Sequence, residues 1–241
     1  TKDLEKKEIY RELADGTINV VIGTHALIQK DVHFKNLGLV IIDEQHRFGV
    51  NQRNTLIKKG EAPDILAMTA TPIPRTLALT VYGDMAVSEI RHLPKGRKPV
   101  VSSWATSSKL REVLDLMRSQ LDKGFQIYVV TPLISESEKS DLKNAEDLQA
   151  KIAHYFKDEN VVLLHGQMKG DQKNEIMDSF AAGKINILVT TSVIEVGVDV
   201  PNANMMVIFN ADRFGLSQLH QLRGRIGRGQ TQSFCVFVSD P

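Results

Sequence analysis

The sequence predicts an α/β protein with two mainly parallel sheets covered by helices, on three observations. Short apolar runs such as Leu37–Ile42 and Ile65–Met68 alternate with stretches of helical spacing. Those runs are apolar on both faces, the pattern of strands buried from both sides, which parallel sheets require. A single basic stretch broken by proline and glycine, Leu93-Pro-Lys-Gly-Arg-Lys-Pro99, interrupts the alternation before it restarts. With 241 residues the chain is long enough for two ordinary domains, and this stretch divides it into 1–96 and 97–241.

The elements follow in order. Asp3–Ala14 is charged, with Leu4, Ile9 and Leu13 helically spaced, and Asp15-Gly16 ends it. Val20–Ile22 reads as a short strand leading into Gly23-Thr24-His25, Leu37–Ile42 as a second, and Ile65–Met68 as a third. Past the linker the spacing predicts a strand at Val100–Trp104, a helix at Lys109–Leu121, a strand at Gln126–Val130 and a helix at Asn144–Phe156. Four more strands are expected at Val161–Leu164, Ile185–Val189, Met205–Phe209 and Phe234–Val238. Two separate sheets fit this better than one. Trp104, Phe125, Tyr128 and Phe156 are expected in the core, Cys235 buried, and Ser135–Asp147 a solvated loop and helix start.

Composition excludes several classes. Hydrophobic content of 42% and charged content of 24% are those of a folded globular chain. No apolar run reaches the ~18 residues of a membrane span. The lone Cys235 forbids an internal disulfide framework and fits a reducing cytoplasm. The seven histidines show no metal-ligand spacing, so no structural zinc is expected. Net charge is +1 and stays balanced on both sides of the linker, so composition is silent on nucleic acid and local motifs must decide.

Two blocks carry the chemistry. Asp43-Glu44-Gln45-His46 ends an apolar strand. Asp43 is placed to meet Mg²⁺, an ion held by a carboxylate or two, waters and substrate phosphates, and Glu44 to polarise an attacking water. Alone, the pair is equally a solvated strand end. Gln221-Leu-Arg-Gly-Arg-Ile-Gly-Arg228 places Arg225 and Arg228 three apart, on one face if the segment is helical. Their guanidinium forks suit phosphate oxygens; alone, the block is equally a basic turn or a grip on nucleic acid. Together, the acids and arginines are the two halves of a nucleotide-hydrolysis site in a nucleic-acid motor.

Lesser blocks complete the picture. Thr69 and Thr71 offer hydroxyls for coupling the nucleotide site to the other domain, or Thr71-Pro72 is a helix cap. Thr24 and Thr190-Thr191 are candidate contacts to a sugar-phosphate backbone, although hydroxyls at strand ends are ordinary. Gly197 offers close backbone approach and Asp199 an acceptor for a ribose hydroxyl. His165 is a further backbone contact or a structural histidine. Every block is expected after a strand or opening the following helix, where open α/β sheets place ligand chemistry.

These blocks, in this order, resemble those of superfamily-two helicases. Asp43–His46 resembles the Walker B or DExH-type motif, Thr69–Pro72 the coupling motif, Val189–Ala203 motif five, and Gln221–Arg228 motif six. The segments Gly23–Ile28, Asp43–Val50, Met68–Thr76 and Leu93–Pro99, with Val-Tyr-Gly-Asp at 81–84, resemble the RecG-type branched-DNA helicases. The transcription-repair coupling factor shares some of them, and a non-catalytic binding scaffold is the alternative outside the enzymes.

The resemblance implies two RecA-like domains, use of ATP and Mg²⁺, and remodelling of stalled forks and Holliday junctions. It also implies a monomeric motor on branched duplex DNA in the bacterial cytoplasm, associated with the nucleoid, with no membrane. In its terms Gln45, His46 and Gln221 join the nucleotide site. No Gly-x-x-x-x-Gly-Lys-Ser/Thr phosphate loop occurs in the chain. The expectation is therefore an incomplete first domain in a piece of a longer protein, inactive by itself, with a branch-engaging wedge domain before residue 1 and a coupling hairpin after Pro241.

Overall fold

A computed structural model of the chain describes residues 3–44, 49–69, 86–90, 92, 94, 96–132, 138–191 and 199–240. Contacts divide the chain into two units, 1–84 and 85–241.

The first unit contains α1 (Asp3–Asp15), a 3-10 turn (His25–Ile28), β1 (Leu39–Ile42), α2 (Val50–Ile57) and β2 (Asp64–Ala67). The two strands pair in parallel, Leu39 opposite Asp64 and Ile42 opposite Ala67. Val40 and Ile42 face the interior, while Leu39 and Ile41 are more than half exposed. Lys59 ties the turn after α2 to the loop ahead of β1, its ammonium donating to the carbonyls of Gln29 and Val32 at 2.7 and 2.6 Å. The strand expected at Val20–Ile22 does not form. Among the described residues no strand pairs with it, and an isolated strand has no ladder to satisfy its backbone, so Val20 and Ile22 lie exposed.

The second unit is built on six parallel strands, β3 (Val101–Ala105), β4 (Gln126–Thr131), β5 (Val161–Leu164), β6 (Ile187–Thr191), β7 (Ala203–Phe209) and β8 (Phe234–Val238). Their order is β3-β8-β7-β4-β6-β5. Alternation along the central strands sends residues to two cores. Ile127 and Val129 meet Val113, Met117 and Leu121 of α3 (Leu110–Leu121) and Ile152 of α4 (Glu138–Tyr155). Tyr128 and Val130 meet Met177 and Phe180 of α5 (Gly170–Ala181) and Leu222 of α6 (Leu216–Arg223). The spacing of Val113, Met117 and Leu121 by four puts them on one stripe of α3. At the starts of α2, α5 and α6 a glutamine three residues into the element (Gln52, Gln172, Gln218) accepts the amide of the capping residue, half of a capping box.

The parallel architecture and the two sheets are as the sequence predicts. Tyr128 and Phe156 are buried, as is Cys235, and Phe125 is half-buried. Trp104 is not core. It lies on the outer strand β3, 61% exposed, with its indole N–H donated to Ser239 Oγ at 2.9 Å. The helix expected from Asn144 already begins at Glu138. The expected loop at 135–137 and the Val-Tyr-Gly-Asp stretch at 81–84 lie outside the described residues, as do Leu93 and Lys95 of the linker.

Candidate active site

In the first unit the ends of β1 and β2 are pinned together, Met68 donating its amide to Ile42 O at 2.8 Å. Asp43 and Thr69 therefore leave adjacent strands on the same edge. Asp43 is exposed, and its Oδ1 accepts the Glu44 amide at 2.8 Å. That bond accompanies a left-handed backbone at Glu44, φ 49°. A non-glycine residue held there costs of order 1–3 kcal/mol, and such conformations gather at functional sites. Glu44 and Thr69 are half-buried. Gln45, His46, Thr71 and Gly197 lie outside the described residues. Thr24 is exposed at the head of the 3-10 turn, its carbonyl accepting the Leu27 amide at 3.1 Å.

In the second unit the candidates fall into two groups, only one of which has the placement the sequence suggested, after a strand or opening the following helix. Thr190, Thr191 and His165 do stand at strand carboxyl ends, Leu164 and Thr190 being opposed across β5 and β6. Thr190 is buried and its hydroxyl donates to Thr191 O at 3.0 Å; Thr191 is buried too. His165 is half-buried, and its buried Nδ1 has no hydrogen-bond partner among the described residues. Asp199, Arg225 and Arg228 instead occupy the stretches leading into the amino ends of β7 and β8. The backbone of Gly229 lies close to Pro201 O, which brings those two stretches together.

The arginines do not share a helix face, contrary to the expected helical block. Helix α6 ends at Arg223, and amide bonds from Gly224, Arg225 and Ile226 back to His220, Leu222 and Arg223 wind the chain into a tight turn. Fully buried Ile226 anchors this turn in the core between half-buried Arg225 and exposed Arg228. Gly227 then reverses the chain at φ 73°, where an added Cβ would lie 2.7 Å from Val100 Cγ2. Glycine is required there by conformation and by space.

Arg228 Nη1 lies 3.6 Å from Asp199 Oδ1, with both side chains well exposed, so this pair contributes at most about 1 kcal/mol. It nevertheless gathers motif-five and motif-six candidates in one place. Tyr128 lies within the field of Arg225, Arg228 and Asp199; burial pushes its phenol up to about 12, the two arginines pull it down, and Asp199 adds to the rise. It stays neutral. Gln221 is half-buried on α6, on the helix that leads into the turn. Spacing could not reveal the Asp199–Arg228 pair, the conformation of Glu44 or the placement of Tyr128, although Gly224 and Gly227 in the sequence signalled the turn.

Asp43 suits one kind of metal. Its carboxylate is accessible, while among the described residues no three His, Cys, Asp or Glu side chains gather into a cage. A single carboxylate is the kind of ligand that could help hold Mg²⁺, whose other ligands would be water and phosphate. Among the described residues no helix is long and apolar enough to cross a membrane.

Comparison with known proteins places the chain. The helicase conserved C-terminal domain family matches residues 108–230, and the DEAD/DEAH box helicase family matches residues 1–80. Over all 241 residues the chain is 56% identical to the ATP-dependent DNA helicase RecG of Streptococcus pneumoniae and 53% identical to that of Bacillus subtilis. It spans 36% and 35% of their lengths, about a third. A solved structure of RecG bound to a three-way DNA junction superposes with TM-score 0.72 at 47% identity, covering 99% of this chain and 31% of that one. The yeast Dbp5 structure, at 14% identity and TM-score 0.60, shares the fold over 90% of this chain and 57% of its own. The chain therefore belongs to the helicases that carry the conserved C-terminal domain, and over its whole length it is similar to their RecG members.

Proposed function

We propose that this chain is the motor segment of an ATP-dependent DNA helicase that remodels branched duplex DNA, at stalled forks and Holliday junctions, in the bacterial cytoplasm on the nucleoid. The observation that carries the reading is the Gln221–Arg228 turn, in which buried Ile226 anchors the segment between Arg225 and Arg228 and the Arg228 guanidinium lies beside Asp199. Relatives 53–56% identical along the whole chain bear the RecG name, and one RecG structure holds a three-way junction.

The residues divide the work. Glu44 takes the proton of the attacking water, and Arg225 and Arg228 answer the charge that spreads over the phosphate oxygens. Asp43 is the residue that would hold Mg²⁺ through water, and the ion would supply charge neutralisation at the phosphates. Asp199 and Gly197 accept the ribose, while Gln45, His46, Thr69, Thr71 and Gln221 link the nucleotide to the moving domain. Thr24, His165, Thr190 and Thr191 meet the DNA backbone, with the buried pair at 190–191 acting chiefly through main chain and local packing. The domains of this motor are residues 1–96 and 97–241, and it works as a monomer.

Glu44→Gln in the full-length helicase tests the reading. Turnover falls by roughly 10²–10⁴, the usual contribution of a positioned acid or base, while junction binding is unchanged. A variant that still hydrolyses ATP at the parent rate removes Glu44 from the chemistry and the reading with it.

A further inference from the structure

The basic stretch between the two sheets has no part in the site above, yet it touches it. Arg97 donates its Nε–H to Gly227 O at 2.6 Å, a contact between residues 130 positions apart in the chain. Gly227 is the left-handed residue that turns the chain into Arg228. The neighbours of Arg97 are tied to the same region. Gly96, itself at φ 85°, lies against the side chain of Gln230. Gln232 Nε2 donates to Pro99 O at 2.7 Å, and Val100 fills the space where a side chain at position 227 would lie. Within the stretch, the Arg97 amide bonds to Pro94 O at 3.1 Å, closing a turn that presents the guanidinium. Arg97 is half-buried.

We infer that Arg97 is a positioning residue for Arg228: its bond to Gly227 O holds the turn in the conformation that aims the Arg228 guanidinium. The proposal rests on the reading of Arg228 as a phosphate-facing arginine. The carbonyl at 227 belongs to the peptide whose nitrogen is that of Arg228, so rotating this peptide swings the Arg228 side chain. A charge-assisted bond to that carbonyl resists the rotation. It also makes the linker a mechanical contact of the motif-six turn. Displacements of about 1 Å at a reacting centre cost up to about a hundredfold in rate, so the expected effect lies on turnover rather than on affinity.

The test uses the full-length helicase with Arg97→Met, which keeps length and loses the donor, and Arg97→Lys, which keeps charge and moves the donor. Amide hydrogen exchange at 224–229 should quicken in Arg97→Met while exchange in β4 and β6 stays at the parent level. DNA-stimulated kcat should fall by roughly ten- to a hundredfold, with the KM for ATP and the junction affinity within about twofold of the parent. Arg97→Lys should lie between. In the double variant with Arg228→Ala, the loss should equal that of Arg228→Ala alone, since Arg97 acts through Arg228.

Unchanged exchange at 224–229, unchanged kcat, or losses that multiply in the double variant would overturn the proposal. A general loss of protection across β4 and β6 would overturn it in favour of a purely structural arginine. Quickened exchange at 224–229 together with a fully active Arg228→Ala would leave Arg97 holding the turn and sink the active-site reading instead.

Discussion

Replacing Gly227 by alanine tests how far the arginine turn depends on its geometry. The methyl group meets two obstacles at once. At φ 73° an L-residue is strained, by about 1–2 kcal/mol. The ideal Cβ position lies 2.7 Å from Val100 Cγ2, and relieving such an overlap in packed surroundings costs about 1–3 kcal/mol. Val100 is half-buried and precedes β3, and the Ser233 carbonyl fixes the Val101 amide at 2.9 Å, so the neighbour cannot simply swing away. Together these give a destabilisation of roughly 2–5 kcal/mol. Trp104 is the chain's single tryptophan and sits on β3 in the same sheet, so its fluorescence reports this unit in a urea melt. With a slope of about 2 kcal/mol/M, the midpoint should fall by about 1–2.5 M. A midpoint within about 0.3 M of the parent's, with the same slope, would show that the turn relaxes freely and would refute the argument that glycine is structurally required.

Further outcomes are expected. Arg228→Ala in the full-length helicase should lower turnover by about a thousandfold or more, with a much smaller loss of DNA affinity; equal losses in ATPase and DNA-binding assays would reassign Arg228 to DNA. The 241-residue chain alone, without a phosphate loop in its sequence, should show no DNA-stimulated ATP hydrolysis in a phosphate-release assay. Phe180→Ala removes a fully buried ring stacked edge-on to Tyr128 at 4.9 Å and should cost about 3–5 kcal/mol in the same urea melt. Burial pushes the Cys235 thiol up to about 12, so a thiol reagent at pH 8 should label the chain only after unfolding. Because this folded-state value lies above the unfolded one, the contribution of Cys235 to stability is complete below about pH 8.5 and is lost as pH rises toward 12.

Much of the architecture was legible because it is written in local pattern. Strands β5 and β8 have the bounds the apolar runs suggest, since each is a continuous apolar run of four or five residues, too short for a helix and opened by β-branched or aromatic side chains. The acid pair was legible for a similar reason: an apolar run that stops at two carboxylates marks a strand end. What escaped depended on partners far away in sequence. Trp104 sits in a strand-like run, but whether that strand is central or outermost is set by the crossovers that bring β8 beside β3. Val20–Ile22 has strand composition but, among the described residues, no neighbouring strand to pair with. The three-residue spacing of Arg225 and Arg228 suits a helix and a glycine turn alike, and the core socket for Ile226 selects the turn. Glu44 gives no local sign of its left-handed backbone, because a glutamate reaches it only when surrounding structure enforces it. The bond from Arg97 to Gly227 joins segments that nothing in the sequence pairs.

The pairing of β3 with β8 bears on how the second unit emerges during translation. β3 is made first among its six strands and, among the described residues, pairs only with β8, the last to be made. At roughly 5–20 residues per second, the wait is on the order of ten seconds. Until β8 is made, the backbone groups of β3 lack the ladder that satisfies them in the folded unit and remain open to pairing with another chain.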